Sequence, residues 1–469
     1  MKKKRTQKRN LGAGKGFQNI AVYGNIPSLL WSPTMTLLNG KALAERIQNP
    51  NQTEVTIPNI RKERRPKVDE AFKKVSTLGK TARDTLFARP RTKRIRFGLV
   101  GCGRISAKHI AVLQDLSNQA ELVAVCDVDA SRLQKVAQQT GARAYSSYRE
   151  MLAQEHLDVV SILTWSGNHA DIARECAGVV RNIVVEKPMA LRLSDADSLI
   201  EACHRSRTRL FVVKQNRYNP PVVALKKALD AGRFGRLILG TVRIRWSRPP
   251  EYYRQDPWRG TWAMDGGVLT NQASHHIDLL TWFFGQVESV FAKTGTFLAP
   301  IEAEDTGVVL VKFKSGALGI IEATTCARPK DLEASISVLG ENGTVEIGGF
   351  AVNEMKTWQF TDNQPGDDGM LDCSSSPPDV YGFGHLQFMK DVIRCIREHR
   401  HSMIDGIEGR RSLEVINAIY ESVERRQEVV VSFTPQQCRL GEEANAWRNQ
   451  QWHSPTESRL GHYERHPTS

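Results

Sequence analysis

The chain has 469 residues, 40% of them apolar and 25% charged; at roughly 150 residues per domain this predicts two or three globular units and rules out a single small module or a broadly disordered chain. No apolar run approaches the ~18 residues of a membrane span. The net charge of +14 suggests nucleic acid until it is divided by position: residues 1–94 carry 22 Lys and Arg against 6 Asp and Glu, which leaves 43 basic and 45 acidic residues elsewhere, so the main body has no field that would draw in DNA.

Residues 1–93 lack sustained periodicity and read as a basic, disordered extension, the one segment through which nucleic acid would be a partner. The regular pattern begins at Ile95. Short apolar runs at 95–100, 122–126, 159–164, 182–185 and 210–213 alternate with helical spacing at 108–116, 130–139 and 194–204, the last capped by Ser194-x-x-Asp197. Strands alternating with helices mean parallel βαβ units, so 94–212 is predicted to be a doubly wound sheet.

After Asn219-Pro220-Pro221 a helix at 222–231 leads into longer strands at 237–246, 306–313, 317–325, 335–339 and 344–347, with turn signals at 314–316 and 341–343. Residues 213–434 are therefore expected to form an α+β domain with a large, mostly antiparallel open sheet. Residues 361–379 read as a loop, 384–427 as two helices and 435–469 as a polar tail. The eight cysteines show no C-x-x-C pair and the N-terminus no apolar signal segment, so neither a disulfide framework nor a metal site is expected and the reducing cytoplasm is the expected location.

The first strand runs into Gly101-Cys102-Gly103-Arg104-Ile105-Ser106 and then a helix. The glycines permit a tight turn and close approach of a pyrophosphate, and the helix N-terminus offers free N–H donors. Asp127 ends the second strand, where a carboxylate accepts ribose hydroxyls and repels a 2′-phosphate, favouring NAD over NADP; its other reading, as a helix cap, is equally open to Asp129. Glu186-Lys187-Pro188 falls at the carboxyl edge of a later strand, where an ammonium can hold a substrate hydroxyl and stabilise developing negative charge. Within Gly266 to Leu280, helical spacing places Asn271 and His275 on one face, the imidazole suited to take a hydroxyl proton. His276 lies about 100° away and reads as a packed or exposed histidine rather than a metal ligand.

These motifs, with Glu408-Gly409-Arg410-Arg411-Ser412-Leu413-Glu414, are specific together: residues 94–434 resemble the Gfo/Idh/MocA oxidoreductases, which pair a Rossmann domain with an antiparallel-sheet domain. The resemblance implies Lys187 and His275 as catalytic residues, and Gly101, Gly103, Arg104, Ile105, Asp127, Glu186 and Lys187 around NAD. The family's Asp falls on Asn271, which can orient substrate but cannot act as a carboxylate partner of the imidazole. The stretches at 214–220, 258–262 and 328–333 look most like those of nucleotide-sugar dehydrogenases of surface-polysaccharide pathways, similar to UDP-N-acetyl-aminoglucuronate 3-dehydrogenases. That likeness implies hydride transfer from C3 of a UDP-linked N-acetylated hexose or hexuronate, with Lys214, Arg245, Arg259 and Asn271 on the substrate and a homodimer or homotetramer. Trp246, Trp258 and Trp262 fit a stacking role or plain core equally well. A free-sugar or inositol dehydrogenase and a non-catalytic NAD-binding protein are the rival readings.

Overall fold

The computed structural model describes residues 93–374, 384–431 and 434–443; residues 1–92 of the expected extension and 444–469 of the expected tail lie outside them. The first half alternates β1 (Ile95–Val100), α1 (Ser106–Asp115), β2 (Ala120–Cys126), α2 (Ala130–Thr140), β3 (Arg143–Tyr145), α3 (Tyr148–Gln154), β4 (Val159–Ile162), α4 (His169–Cys176), β5 (Asn182–Val185), α5 (Leu193–Ser206) and β6 (Arg209–Val212). The strands form one sheet in the order β3-β2-β1-β4-β5-β6, every pair parallel. β4 and β5 are buried along their whole length, as strands covered by helices on both faces must be. The order reverses between β1 and β4, which opens a crevice at the carboxyl ends of the strands. The predicted cap at Ser194 is displaced: α5 begins at Leu193 without a side-chain cap, and Asp197 pairs instead with Arg410.

The second half comprises α6 (Pro220–Asp230), β7 (Leu237–Arg245), α7 (Pro250–Arg254), α8 (Ser274–Phe284), β8 (Val287–Gly295), β9 (Thr306–Phe313), β10 (Leu318–Thr324), β11 (Glu333–Gly340), β12 (Gly343–Gly348), β13 (Glu354–Phe360), α9 (Gly384–Glu398), α10 (Gly406–Arg425) and β14 (Val429–Val430). Its sheet runs β13-β12-β11-β7-β10-β9-β8-β14. Only β7 and β10 pair in parallel, so the expected Rossmann half followed by a mostly antiparallel sheet is what the chain builds. One face packs under α8, where Phe284 stacks on Phe313 with centroids 5.0 Å apart. Gly240 on β7 allows that approach, since a Cβ there would lie 2.5 Å from the Phe284 ring. The other face is open: along β9, Val309 and Val311 are buried whereas Val308 and Leu310 are 48% and 55% exposed, the period-two alternation of a one-sided sheet.

The chain then returns to its beginning. On α9, Phe388, Met389, Val392 and Ile393 complete the core of the first sheet, each burial stabilising by about 1.5–3 kcal/mol. Helix α10 packs on the second core, and Leu440 beyond it is buried there too.

Candidate active site

A cavity of about 710 Å³ opens at the carboxyl ends of β1, β2, β4 and β5 and extends to the start of α8. At its edge the chain leaves β1 through Gly101, whose φ of +105° suits glycine and whose Cβ would sit 2.6 Å from the Leu163 carbonyl oxygen. Around Gly103, by contrast, no heavy atom lies within 4 Å of a Cβ position, so the backbone faces open space just before α1. That helix carries no side-chain cap; the Ser106 and Lys108 N–H groups turn back to the Gly103 and Ile105 carbonyls at 3.1 and 3.0 Å, and the positive end of the helix still faces the open turn, where it favours an anion. Ser106, where the turn's third small residue belongs, is buried and donates to the Gly103 carbonyl at 2.7 Å. Ile105 packs behind it on the first core.

Two carboxylates after β2 divide the work that the sequence left open between them. Asp129 caps α2, accepting from the N–H groups of Ser131 and Arg132 at 2.9 and 3.0 Å. Asp127 lines the cavity and accepts from the Cys102 N–H at 2.6 Å, with lone pairs left over for ribose hydroxyls. Arg104 and Arg132 reach across to the segment around α7: Arg104 donates to Gln255 at 2.6 Å and lies 5.3 Å over the Tyr252 ring, and Arg132 meets Asp256 at 3.1 Å. An open glycine backbone, an uncapped helix start and a cavity carboxylate at the end of the next strand fit a dinucleotide.

Beyond β5, Glu186 is buried with His109 Nε2 at 2.9 Å and His385 Nε2 at 3.7 Å. These imidazoles outweigh the cost of burial and hold its carboxyl well below the usual carboxylate range. Lys187 follows, its Nζ donating to the Asn271 carbonyl at 2.7 Å. Burial pushes its ammonium down to about 8, opposed by the charges of Glu186 and Asp265. His275, in the first turn of α8, lines the same cavity; burial, then the positive charges of Lys187 and Lys214, hold its imidazole well below 6.5, so it is neutral. Its Nε2 lies 3.0 Å from Gln215 Nε2. Asn271 precedes α8 rather than riding on it: its N–H bonds to the Gly267 carbonyl at 2.9 Å in a separate turn, and Ala273 N–H skips back five residues to Val268. The helical spacing used for Asn271 and His275 is thus broken, yet both still face the cavity.

One wall is made of arginines and aromatic rings. Arg259 lies 4.7 Å from the ring centres of both Tyr252 and Trp258 and donates to the Tyr252 hydroxyl at 2.8 Å. Arg248 lies 5.0 Å over Trp246, and all five line the cavity. Trp262 does not; it packs edge-on against Tyr420 at 5.3 Å in the second core. His276 is buried against Trp246, the packed alternative of the two read from sequence.

Two expected substrate contacts lie elsewhere. Lys214 is buried behind the cavity, its Nζ donating to Ser412 Oγ at 2.6 Å and 3.5 Å from Asp278. The next residue, Gln215, is the one that reaches the cavity. Arg245 stands on the outer face of the second sheet, bound to Glu322 at 2.6 and 2.8 Å and to Glu333 at 3.1 Å, because strand alternation sets it opposite the inward Val242 and Ile244. Arg217 and Glu408, from two stretches that carried the resemblance, serve structure: Arg217 is buried in a two-pronged pair with Asp278 at 2.8 Å and a third contact to Glu408 at 3.0 Å.

The fold and crevice define an NAD-dependent dehydrogenase acting on CH–OH groups. Residues 95–214 match the oxidoreductase family with the NAD-binding Rossmann fold, and 222–346 match the GFO/IDH/MocA C-terminal domain; the chain belongs to the Gfo/Idh/MocA family. It is similar to the WlbA dehydrogenase of Bordetella pertussis, solved with NADH and UDP-GlcNAcA, at 45% identity and a TM-score of 0.71, covering 74% of this chain and all (100%) of that one. The WlbA dehydrogenase of Chromobacterium violaceum, solved with the same two ligands, is 43% identical with a TM-score of 0.69, over 73% of this chain and 97% of that one. Myo-inositol 2-dehydrogenase of Thermotoga maritima is 27% identical over 344 residues, 71% of this chain and 98% of that protein. Among the described residues no helix is long and apolar enough to cross a membrane.

Proposed function

We propose that the protein oxidises a ring hydroxyl of a nucleotide-linked sugar, C3 of a UDP-linked N-acetylated hexuronate, to the ketone. The observation that carries this reading is the meeting of the Lys187 ammonium, the neutral His275 and Asn271 in one cavity, beside a wall of Arg248, Arg259, Trp246, Tyr252 and Trp258. Such a wall suits a charged nucleotide-sugar, since guanidinium groups clamp diphosphates and carboxylates and aromatic faces stack on bases and sugars. The likeness to proteins solved with UDP-GlcNAcA, at 43 and 45% identity, supports the same substrate class.

Lys187 holds and polarises the reacting hydroxyl, and His275 removes its proton. The carbinol C–H bond breaks with its electron pair, leaving a C=O double bond. NAD⁺, when bound, supplies the hydride acceptor. Asn271 orients the sugar and Arg259 its charged portion. A protonated Lys187 favours the alkoxide character that develops as the proton leaves, and a neutral His275 takes that proton at Nε2 when the substrate hydroxyl replaces the Gln215 amide N–H that this nitrogen accepts.

The test is a panel of UDP-GlcNAcA, UDP-GlcNAc, free N-acetylhexosamine and myo-inositol, followed by NADH absorbance and by mass spectrometry of the product. A ketosugar two mass units lighter, formed from the UDP-hexuronate, supports the reading. Reduction of NAD by the free sugar or inositol alone overturns it in favour of the activity named for the 27% identical relative. A homo-oligomer joined across the open face of the second sheet belongs to the same proposal, supported by Val308, Leu310 and Leu318 standing 48, 55 and 56% exposed on it. Light scattering of Leu310→Asp would report the monomer, and an unchanged mass would remove that face from the assembly.

A further inference from the structure

We propose that Asp265 is a positioning residue for the Lys187 ammonium, acting through Asn271. The inference rests on the role of Lys187 proposed above.

Asp265 is 3% exposed and sits behind the cavity, just before Gly266-Gly267. One carboxylate oxygen accepts from the Gly260 N–H at 2.9 Å and the other from the side-chain amide of Asn271 at 2.6 Å. A buried carboxylate with both oxygens bonded is a fixed object, and here it fixes Asn271. The Asn271 N–H is bonded to the Gly267 carbonyl, so residue 271 is held by side chain and backbone at once. Its carbonyl then has one defined direction, and that carbonyl takes the Lys187 Nζ at 2.7 Å, with Ser274 Oγ at 3.2 Å beside it. The amide plane is also decided: with Nδ2 given to Asp265, the Asn271 Oδ1 makes no hydrogen bond among the described residues and is left as an acceptor for substrate.

Asp265 acts on charge as well as direction. The groups around Lys187 are Glu186 from the end of β5, Asp265 from the turn before α8, the cations Lys214 and Arg259, and the imidazoles of His169 and His275. Glu186 and Asp265 are the two anions that keep the ammonium charged against burial. Asp265 reaches it with one intervening residue, so the same contact that aims Lys187 helps to keep it protonated.

The experiment compares Asp265→Asn, the exchange Asp265→Asn with Asn271→Asp, and Lys187→Ala, reading the pH profile of kcat/KM together with NADH affinity. In Asp265→Asn the alkaline limb set by Lys187 is expected to move down by about one pH unit, with activity above that limb falling about tenfold and NADH affinity unchanged. The exchange puts a carboxylate back on the same hydrogen bond and should return the limb to the wild-type position. An unmoved limb in Asp265→Asn, with Lys187→Ala inactive, overturns the positioning role and leaves the role of Lys187 standing. Near-normal turnover in Lys187→Ala overturns the reading beneath it. Should Asp265→Asn fail to fold, the exchange variant decides: a limb at the wild-type position supports the inference, and one lower by a unit or more overturns it.

Discussion

The side chain of Gln215 meets the imidazole of His275, Nε2 to Nε2 at 3.0 Å, from a one-turn helix just beyond β6. It therefore joins a residue at the end of the first sheet to the proposed base on α8, and it is the one hydrogen-bond partner of that ring among the described residues. Gln215→Leu removes the contact while keeping volume. A neutral hydrogen bond contributes about 1 kcal/mol, so kcat should fall several-fold to tenfold with NADH affinity unchanged; fluorescence titration and steady-state rates on the same preparation check it. Loss of NADH binding instead would make Gln215 a cofactor residue.

The two ionisations at the centre predict a bell-shaped profile. The His275 imidazole is held well below 6.5, so it stays neutral and able to take a proton at acidities where free imidazole is charged. The acidic limb of kcat/KM should accordingly lie well under 6.5. Lys187, pushed down to about 8, loses its charge above that pH and sets the alkaline limb. His275→Asn and Lys187→Met should each lower kcat by about 10²–10⁴-fold, the usual range for a positioned acid or base, and each should abolish its own limb.

The two glycines of the cofactor turn have opposite constraints and should fail differently. Gly101→Ala forces a Cβ to within 2.6 Å of a backbone oxygen at positive φ, costing about 1–3 kcal/mol in strain before any clash is relieved; its melting temperature should drop. Gly103→Ala meets nothing within 4 Å, so the protein should melt normally. Its methyl would occupy the space through which a pyrophosphate approaches, and NADH affinity should weaken about tenfold or more. Calorimetry and NADH titration of the pair separate the two effects.

Glu304 predicts a dependence of stability on pH. Burial raises its carboxyl from 4.5 to about 7, although Leu269 N–H and the Tyr420 hydroxyl donate to Oε1 at 3.0 and 2.9 Å. The folded state thus holds this proton more tightly than the unfolded chain. That contribution is whole below the unfolded value near 4.5 and is lost as pH rises through about 7. Glu304→Gln, which never ionises, should lose less melting temperature between pH 5 and pH 8 than the wild type. Parallel curves for the two proteins would show that Glu304 does not titrate in this range.

Residues whose place at the cavity is tied to a strand end are legible in the sequence; residues placed by side-chain direction are not. Gly101, Gly103, Asp127 and Lys187 follow β1, β2 and β5 directly, and a doubly wound sheet presents such positions to its crevice whatever surrounds them. His275 was legible by type, though the spacing from Asn271 was not helical. Lys214 and Gln215 are neighbours on a tight turn, and which of them faces the cavity depends on Ser412 and Asp278, nearly 200 and just over 60 positions away. Arg245 carried a usable signal in the alternation Arg243, Ile244, Arg245, which marks an outer face. Asp265 had none, because its importance comes from a partner six residues on, across a turn with no periodicity. Short elements such as β3 and α7 are not legible for want of length, whereas β8 and β13, nine and seven residues long, also fall outside the strands expected from the sequence.

The return of α9 to the first sheet means that the Rossmann half is not a severable part. A fragment ending near residue 212 would expose the seats of Phe388, Met389, Val392 and Ile393 and would lack His385, one of the two imidazoles facing Glu186. Ribosomal synthesis must therefore carry a partly finished nucleotide domain through nearly two hundred further residues before its last helix emerges.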